Sequence, residues 1–400
     1  MAKTIWQKDL KIIFIFALIL RLILAPLFYH PDIKTQNFHF QFLSKGVVNI
    51  YQFLDLNRKK LPYQDTFNYP PLTYLSFGIE QIILKPILPA DFTQWLNDWG
   101  PNQNNYPNLF YYMLILKIPY IFFDLGIGYL LYKLYNKKIL ILWLFNPFSL
   151  YLIYILANFD IVPVFFSVLA FYYLKKSRSN LSFFYLGIAT ALKLYPLLFF
   201  PFFIFYQKTN FKKIFINGLI FSLPLIISVF PFIFNPSFFQ ALSGSGLTQK
   251  IIEFRLLNIP IYPLIYLIVF IFYYFSKNKN LEKSFLFLFL AFFVFVSFHP
   301  QWLLWFLPFI IFPVVQNKKY FVLFNIFIIT ALIYVLLIND RYLLWGHLIP
   351  INPFFIQLNH PYLIITQKSR IIPENIQNYL KYFMAFISFL FLAPTHEKNS

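Results

Sequence analysis

Cysteine is absent from the chain, which excludes disulfides and thiolate-bound metals but leaves the redox compartment open, since absence fits either side of a membrane. Charge is scarce as well: Asp, Glu, Lys and Arg make up 12% of the residues, against about 25% in soluble domains. A surface that faces water on all sides cannot be built from so little. Glycine is limited to ten residues, so close glycine-mediated helix crossings are not the organising device. The chain has no Walker A loop, no GxGxxG, no HExxH and no helical Glu-x-x-His pattern. ATP-driven pumping, nucleotide redox chemistry and zinc hydrolysis therefore lack support. No repeat with a period of roughly 20 to 50 residues stands out.

What the chain has is apolar and aromatic. Hydrophobic residues make up 60% and aromatic residues 23%, with 57 phenylalanines to carry the packing. A bilayer core about 30 Å thick needs about 20 mostly apolar residues per helix. Such runs recur from residue 12 to residue 393. The length predicts an all-α polytopic membrane protein with about ten crossings. The formal charge of +19 would suggest nucleic acid in a soluble chain, but here the Lys and Arg residues sit in short clusters between apolar runs. That is the positive-inside pattern, and no nucleic-acid partner is expected. Residues 12–29 follow Lys3, Lys8 and Lys11 without an A-x-A-like cleavage site, so they read as a first permanent helix.

The basic clusters assign sides. Lys3–Lys11, Lys133–Lys138, Lys175–Arg178, Lys208–Lys213, Lys277–Lys283 and Lys318–Lys319 mark the cytoplasmic face. Residues 139–174 run between two clusters and must cross twice, which puts the turn Ala157-Asn158-Phe159-Asp160 at the outer surface. Likewise residues 214–234 lead out, 257–275 return, and 284–315 form a hairpin whose outer turn is His299-Pro300-Gln301. Residues 320–338 and 379–393 make the last pair, leaving His396-Glu397-Lys398 cytoplasmic. Residues 181–207 are expected as two short helices broken at Tyr195-Pro196, and residues 70–108 as a partial or re-entrant segment. Between the first helix and that segment lies a long outer loop, 30–68. The whole is read as a single integral membrane domain, 1–400.

Polar groups gather at the outer turns: Asp32, Asp160, Arg255, His299 with Gln301, and Asp340 with Arg341. A charge at the bilayer edge is a functional candidate. Arg21 precedes Asp32 by eleven residues, close to three helical turns. Its competing role is an intramembrane ion pair with Asp124. Lys117 and Asp124 share a helix face, but their roughly 10 Å of axial separation is too long for pairing. Lys193 sits inside an apolar segment, where a lysine costs about 2.5–3.5 kcal/mol. That cost asks for an anionic partner. Trp302 and Trp305 are expected in the interfacial aromatic belt, and Asp55, Asp65, Asp91 and Asp98 as solvated surface acids. The first outer loop reads Asp32-Ile33-Lys34 instead of Asp-x-Asp, so no tightly held divalent metal or other cofactor is indicated.

Five stretches, taken in order, resemble the GT-C superfamily of membrane glycosyltransferases. The likeness is strongest to glycosyltransferase family 87, the polyprenol-phosphate-mannose-dependent mannosyltransferases. Arg21 to Asp32 is similar to a first helix ending in the family's catalytic acid. Asn49-Ile50-Tyr51 followed by Phe67-Asn68-Tyr69-Pro70-Pro71-Leu72 resembles "G-x-x-x-Y … Y-P-P-L". Asn146-Pro147 through Asn158-Phe159-Asp160 resembles "N-P … G-Q-x-D", with Ala157-Asn158 in place of the usual Gly-Gln, and Leu186-Gly187-Ile188-Ala189 through Lys193-Leu194-Tyr195-Pro196 resembles "G-x-A-x-x-x-K-x-x-P". Finally, His299 to Pro308 resembles "Q-x-x-x-W-x-x-P". The likeness covers residues 12–315 and leaves 316–400 as additional helices and an outer loop.

The resemblance implies a GT-C-type bundle with short helices in its long first outer loop. It also implies transfer of mannose or another sugar from a polyprenyl-phosphate donor on the non-cytoplasmic face of the cell membrane. In that reading Asp32 is the base of an inverting displacement, while Lys193, Arg255 and Arg341 hold the lipid phosphate. Asp160, His299, Gln301 and Tyr69 bind sugar or acceptor hydroxyls, and Arg21 with Asp124 supports the site. Two other readings stay open: a flippase for a lipid-linked saccharide, and a polymerase or ligase of surface polysaccharide.

Overall fold

The computed structural model describes residues 2–207, 210–243, 246–368 and 372–392. Lys208 and the C-terminal His396-Glu397-Lys398 lie outside them. Helix dominates; among the described residues the only sheet is a pair of two-residue strands. The chain packs as two compact units, residues 1–246 with 347–355 and residues 247–346 with 356–400.

The first unit opens with α1, Ala2–Leu27, whose apolar run is the expected first helix. The long loop after it is built from α2 (Pro31–Phe40), α3 (Ile50–Asn57), α4 (Pro71–Leu84) and α5 (Phe92–Asn97). Pro31 and Pro71 start α2 and α4, where a missing N–H costs nothing. At 14 residues α4 rises only about 21 Å, short of a bilayer core. That length fits a partial segment. Next come α6 (Leu109–Leu134), α7 (Lys137–Leu144), and α8 (Pro147–Leu150), which runs on into a π-helical turn, Tyr151–Ile155. The unit continues with α9 (Ile161–Lys175), α10 (Ser179–Leu192), α11 (Phe200–Ile204), α12 (Phe211–Val229) and α13 (Pro236–Ser243). Segment 181–207 breaks as expected, two residues earlier than Tyr195. Lys193 is extended (φ −153°, ψ 138°), and a 3-10 turn over Tyr195–Phe199 separates α10 from α11.

Helix α10 packs against both α9 and α12. Gly187 permits this: a Cβ there would lie 2.2 Å from the backbone oxygen of Phe221 on α12. One glycine thus does what the low glycine count argued against for the chain as a whole.

In the second unit, α14 (Gly246–Glu253) leads to a tight hairpin pairing Arg255–Leu256 with Ile259–Pro260. Leu257 and Asn258 at its tip both have positive φ (50° and 63°), as a two-residue hairpin loop needs. Then follow α15 (Ile261–Phe275), α16 (Leu281–Phe295), a 3-10 turn over Pro300–Trp305, α17 (Leu307–Gln316), α18 (Lys318–Leu336), α19 (Pro361–Lys368) and α20 (Pro373–Leu392). Phenylalanine carries the core here. Phe289 alone meets Phe293, Phe306, Phe324 and Phe327 at ring distances of 4.8, 6.1, 5.8 and 5.8 Å. Trp302 and Trp305 correct the sequence reading. They stack at 4.9 Å, 6% and 0% exposed, against Phe292, so they are core residues and not an interfacial belt.

Asparagine sets several helix starts beside the basic clusters. Asn136, Asn210, Asn280 and Asn317 each cap a helix by accepting a backbone N–H. Among the described residues four helices are long and apolar enough to cross a membrane: 9–27, 109–134, 211–232 and 318–336. A fifth counts if α7 and the following helix, bent by 46°, form one span. Their outward faces carry Phe122, Phe211 and Ile227 at 70%, 82% and 65% exposure. Apolar surface of that kind suits lipid and not water. The architecture is that of an all-α membrane protein.

Candidate functional site

The site begins with how the end of α1 is held. The last carbonyls of a helix lack intrahelical donors. Here Lys117 of α6 donates its Nζ to the carbonyls of Ala25 (2.9 Å), Phe28 (2.5 Å) and Tyr154 (2.8 Å). It pairs with backbone and not with Asp124, as the helical spacing required. About two turns of helix away, Asp124 accepts from Arg21 Nε (2.8 Å), Trp143 Nε1 (2.8 Å) and the Tyr154 hydroxyl (2.9 Å). Arg21 and Asp124 are both fully buried. The structural ion pair expected for them is present, and it joins α1, α6, α7 and the π-helical turn. This scaffold fixes the point where α1 ends and α2 begins.

That point carries Asp32. His30 caps α2, its Nδ1 accepting the Asp32 N–H at 3.3 Å and lying 3.4 Å from the Asp32 carboxylate. The other carboxylate oxygen accepts from Asn158 Nδ2 at 3.0 Å. Asp32 keeps 33% of its side chain exposed, so its carboxylate is held by Asn158 on one side and remains accessible on another. Asn158 occupies the turn before α9. The preceding Ala157 has φ 44° and is fully buried, a left-handed conformation that favours glycine. This explains why a Gly-Gln motif suits the turn, and here Ala-Asn adopts it under strain.

Asp160 and Lys193, given separate roles on sequence, are ion-paired with one another. Both are buried. The anionic partner that the cost of Lys193 demanded is a residue of the chain. The Lys193 ammonium also lies 5.3 Å from the Tyr69 ring and 5.2 Å from that of Phe159, favourable cation–π distances. Burial, with the carboxylates of Asp32 and Asp160 near it, pushes the Tyr69 phenol well above its usual range. Tyr69 thus stands beside both acids as a neutral hydroxyl. Asp32, Asn158, Tyr69, Asp160 and Lys193 form one polar cluster.

Residues that sequence reasoning passed over complete the wall. Gln36 and His39 follow Asp32 along α2 at spacings of four and seven, the same helix face. Burial pushes His39 down to about 4, with Asp65 opposing, so its imidazole is neutral. Burial and Asp65 push the Tyr63 phenol up to about 12. Lys34, read as an outer-loop cation, is instead fully buried. It donates to the backbone oxygen of Asp98 and lies 5.4 and 4.6 Å from the Trp95 and Trp99 rings. Burial pushes it down to about 8, against the pull of Asp98. The helical spacing from Asp32 was the one signal for Gln36 and His39; nothing in the sequence marked Lys34 as caged.

An apolar cleft of about 570 Å³ lies in the same unit, lined by residues of α4, α6, α9, α10 and α12 that include Val162 and Leu192. Glu80 is its one acidic lining residue. Phe77, which lines the cleft, meets the Phe159 ring at 5.0 Å, and that ring lies 5.2 Å from the Lys193 ammonium, so one aromatic ring separates the cleft from the polar cluster.

The remaining candidates belong to the second unit. His299 is exposed and lies 2.8 Å from Lys250 Nζ through its Nε2, and 5.2 Å from the Trp302 ring. Gln301 is half-buried in the 3-10 turn that follows. Arg255 is exposed at the hairpin, donating to the Ile252 carbonyl at 3.1 Å. Arg341 is exposed after α18, and His360, buried beside Arg341, is pushed down by burial and by that charge. Among the described residues no cluster of three or more His, Asp or Glu side chains is arranged to hold a metal ion. Comparisons with family models, with curated proteins and with solved structures give no match to this chain.

Proposed function

We propose that the chain is a GT-C-type glycosyltransferase with about ten membrane crossings, the shorter apolar helices completing the set. It moves a sugar from a polyprenyl-phosphate donor to an acceptor hydroxyl on the non-cytoplasmic face. The observation that carries this reading is the setting of Asp32. Its carboxylate is oriented by Asn158, stands at the start of a helix that His30 caps, and is one-third exposed. A general base needs such fixed geometry together with access to the proton it takes.

In the proposed reaction the acceptor oxygen attacks the anomeric carbon as its proton passes to Asp32. A new glycosidic bond forms on the face opposite the departing phosphate. The anomeric C–O bond breaks, and its electron pair leaves with the polyprenyl phosphate. Tyr69 offers a hydroxyl for the sugar, and Lys193, ion-paired with Asp160, stabilises the departing phosphate by exchanging that carboxylate for it as its charge develops. The apolar cleft beside them suits an isoprenoid chain. Arg255 and Arg341 belong to the second unit, and the proposal does not depend on them.

The test is incubation of the purified protein in lipid vesicles with polyprenyl-phosphate mannose, glucose or arabinose. Release of polyprenyl phosphate coupled to a new glycosidic bond is expected with one donor. Movement of intact donor between leaflets, without cleavage, would replace the transferase by the flippase.

A further inference from the structure

A second cleft, of about 850 Å³, lies wholly within the second unit between α15, α16 and α20. Its length is apolar, with Phe272, Phe287, Leu290 and Phe389 among the lining residues. One end is polar. There Ser276, Asn278, Asn280, Lys283 and Ser284 contribute, and among the described residues no acidic side chain lines the cleft. Lys283 is exposed at this mouth. Lys279 sits close by, 5.3 Å from the ring of Tyr273, itself a lining residue.

We infer that this cleft binds one anionic phospholipid, its acyl chains along α15, α16 and α20 and its phosphate at Lys283. The volume falls within the roughly 300–1,000 Å³ of small-ligand sites. Phe272, Phe389 and Leu392 around the opening are 75%, 67% and 63% exposed. A cleft bordered by so much apolar surface opens toward hydrocarbon, where an acyl chain is the natural occupant. Charge then selects the headgroup. The polar end carries lysines, serines and asparagines, cations and hydrogen-bond donors without a carboxylate, which suits a phosphodiester. Because Lys277–Lys283 is one of the basic clusters that mark the cytoplasmic side, the lipid belongs to the inner leaflet, where anionic lipids attract basic residues. This distinguishes it from the sugar donor of the outer face, and the inference holds whether or not the chain is a transferase.

The experiment uses the full chain purified in neutral detergent and titrated with phosphatidylglycerol or phosphatidylcholine, bound lipid being counted by native mass spectrometry. One phosphatidylglycerol per chain is expected, retained in preference to phosphatidylcholine. Lys283→Gln, at an exposed position that leaves the fold intact, should weaken it about fivefold, and Lys279→Gln with Lys283→Gln about 25-fold. Ala291→Phe, which narrows the cleft, should displace both lipids. Equal retention of the two lipids by the wild type, or unchanged phosphatidylglycerol binding in the double lysine variant, would overturn the inference.

Discussion

Asp124→Ala is expected to cost about 3–5 kcal/mol, enough to prevent assembly of the first unit, because it strands a buried guanidinium. Arg21 would keep its bond to the Ala17 carbonyl at 3.1 Å and its contact with Tyr154, but lose its anionic partner. The Trp143 indole and the Tyr154 hydroxyl would lose their acceptor in the same step. None of these groups has water within reach, Arg21 and Asp124 being 0% exposed. The paired variant Arg21→Leu with Asp124→Leu removes both charges and should recover much of the loss, since an apolar pair of similar volume often equals a buried ion pair. Thermal midpoints in detergent, followed by size-exclusion chromatography, measure this. An Asp124→Ala protein with the wild-type midpoint would show that the network does not hold the unit together.

Asp32→Asn is expected to lower turnover about 100- to 10,000-fold, the usual contribution of a positioned base, while leaving the protein folded. An asparagine can keep the Asn158 contact through its amide oxygen, so the orientation at 3.0 Å survives and the basicity does not. The loss should therefore appear in kcat, with the donor KM little changed. Asn158→Ala is the informative companion: it keeps the base and frees its orientation. A smaller loss is expected from it, and a loss equal to that of Asp32→Asn would mean that Asn158 itself contacts the reacting atoms.

Much of this arrangement was legible in the sequence because membrane insertion writes strong signals. Apolar runs and basic clusters gave the helix order, and the break near Tyr195 followed from a segment between two basic clusters too long for one span and too short for two. The cost of a buried charge also told its own story: Arg21 and Lys193 each needed a partner. The Arg21 partner was named from the sequence as Asp124, but nothing in the spacing named the acid that Lys193 would find. Arg21 meets Asp124 from 103 residues away and Lys193 meets Asp160 from 33. Asn158 reaches Asp32 across 126 residues. Lys34 shows the limit most clearly. Its sequence context is that of an outer-loop cation, yet tryptophans from α5 and the turn after it enclose it, a contact made only when the loop folds back on α2. Trp302 and Trp305 failed for the related reason that an aromatic near a turn suits a membrane interface and a helical core equally well until its neighbours are known.

The central claim, that Asp32 acts as base in a direct displacement on a lipid-linked sugar, is tested most directly by the anomeric configuration of the product. Nuclear magnetic resonance of the disaccharide or glycoconjugate formed by the purified protein, compared with the donor, gives this in one measurement. Inversion is the result the account predicts. A retained configuration would contradict it, because the sugar would then have passed through two displacements and Asp32 could not be serving only as a base.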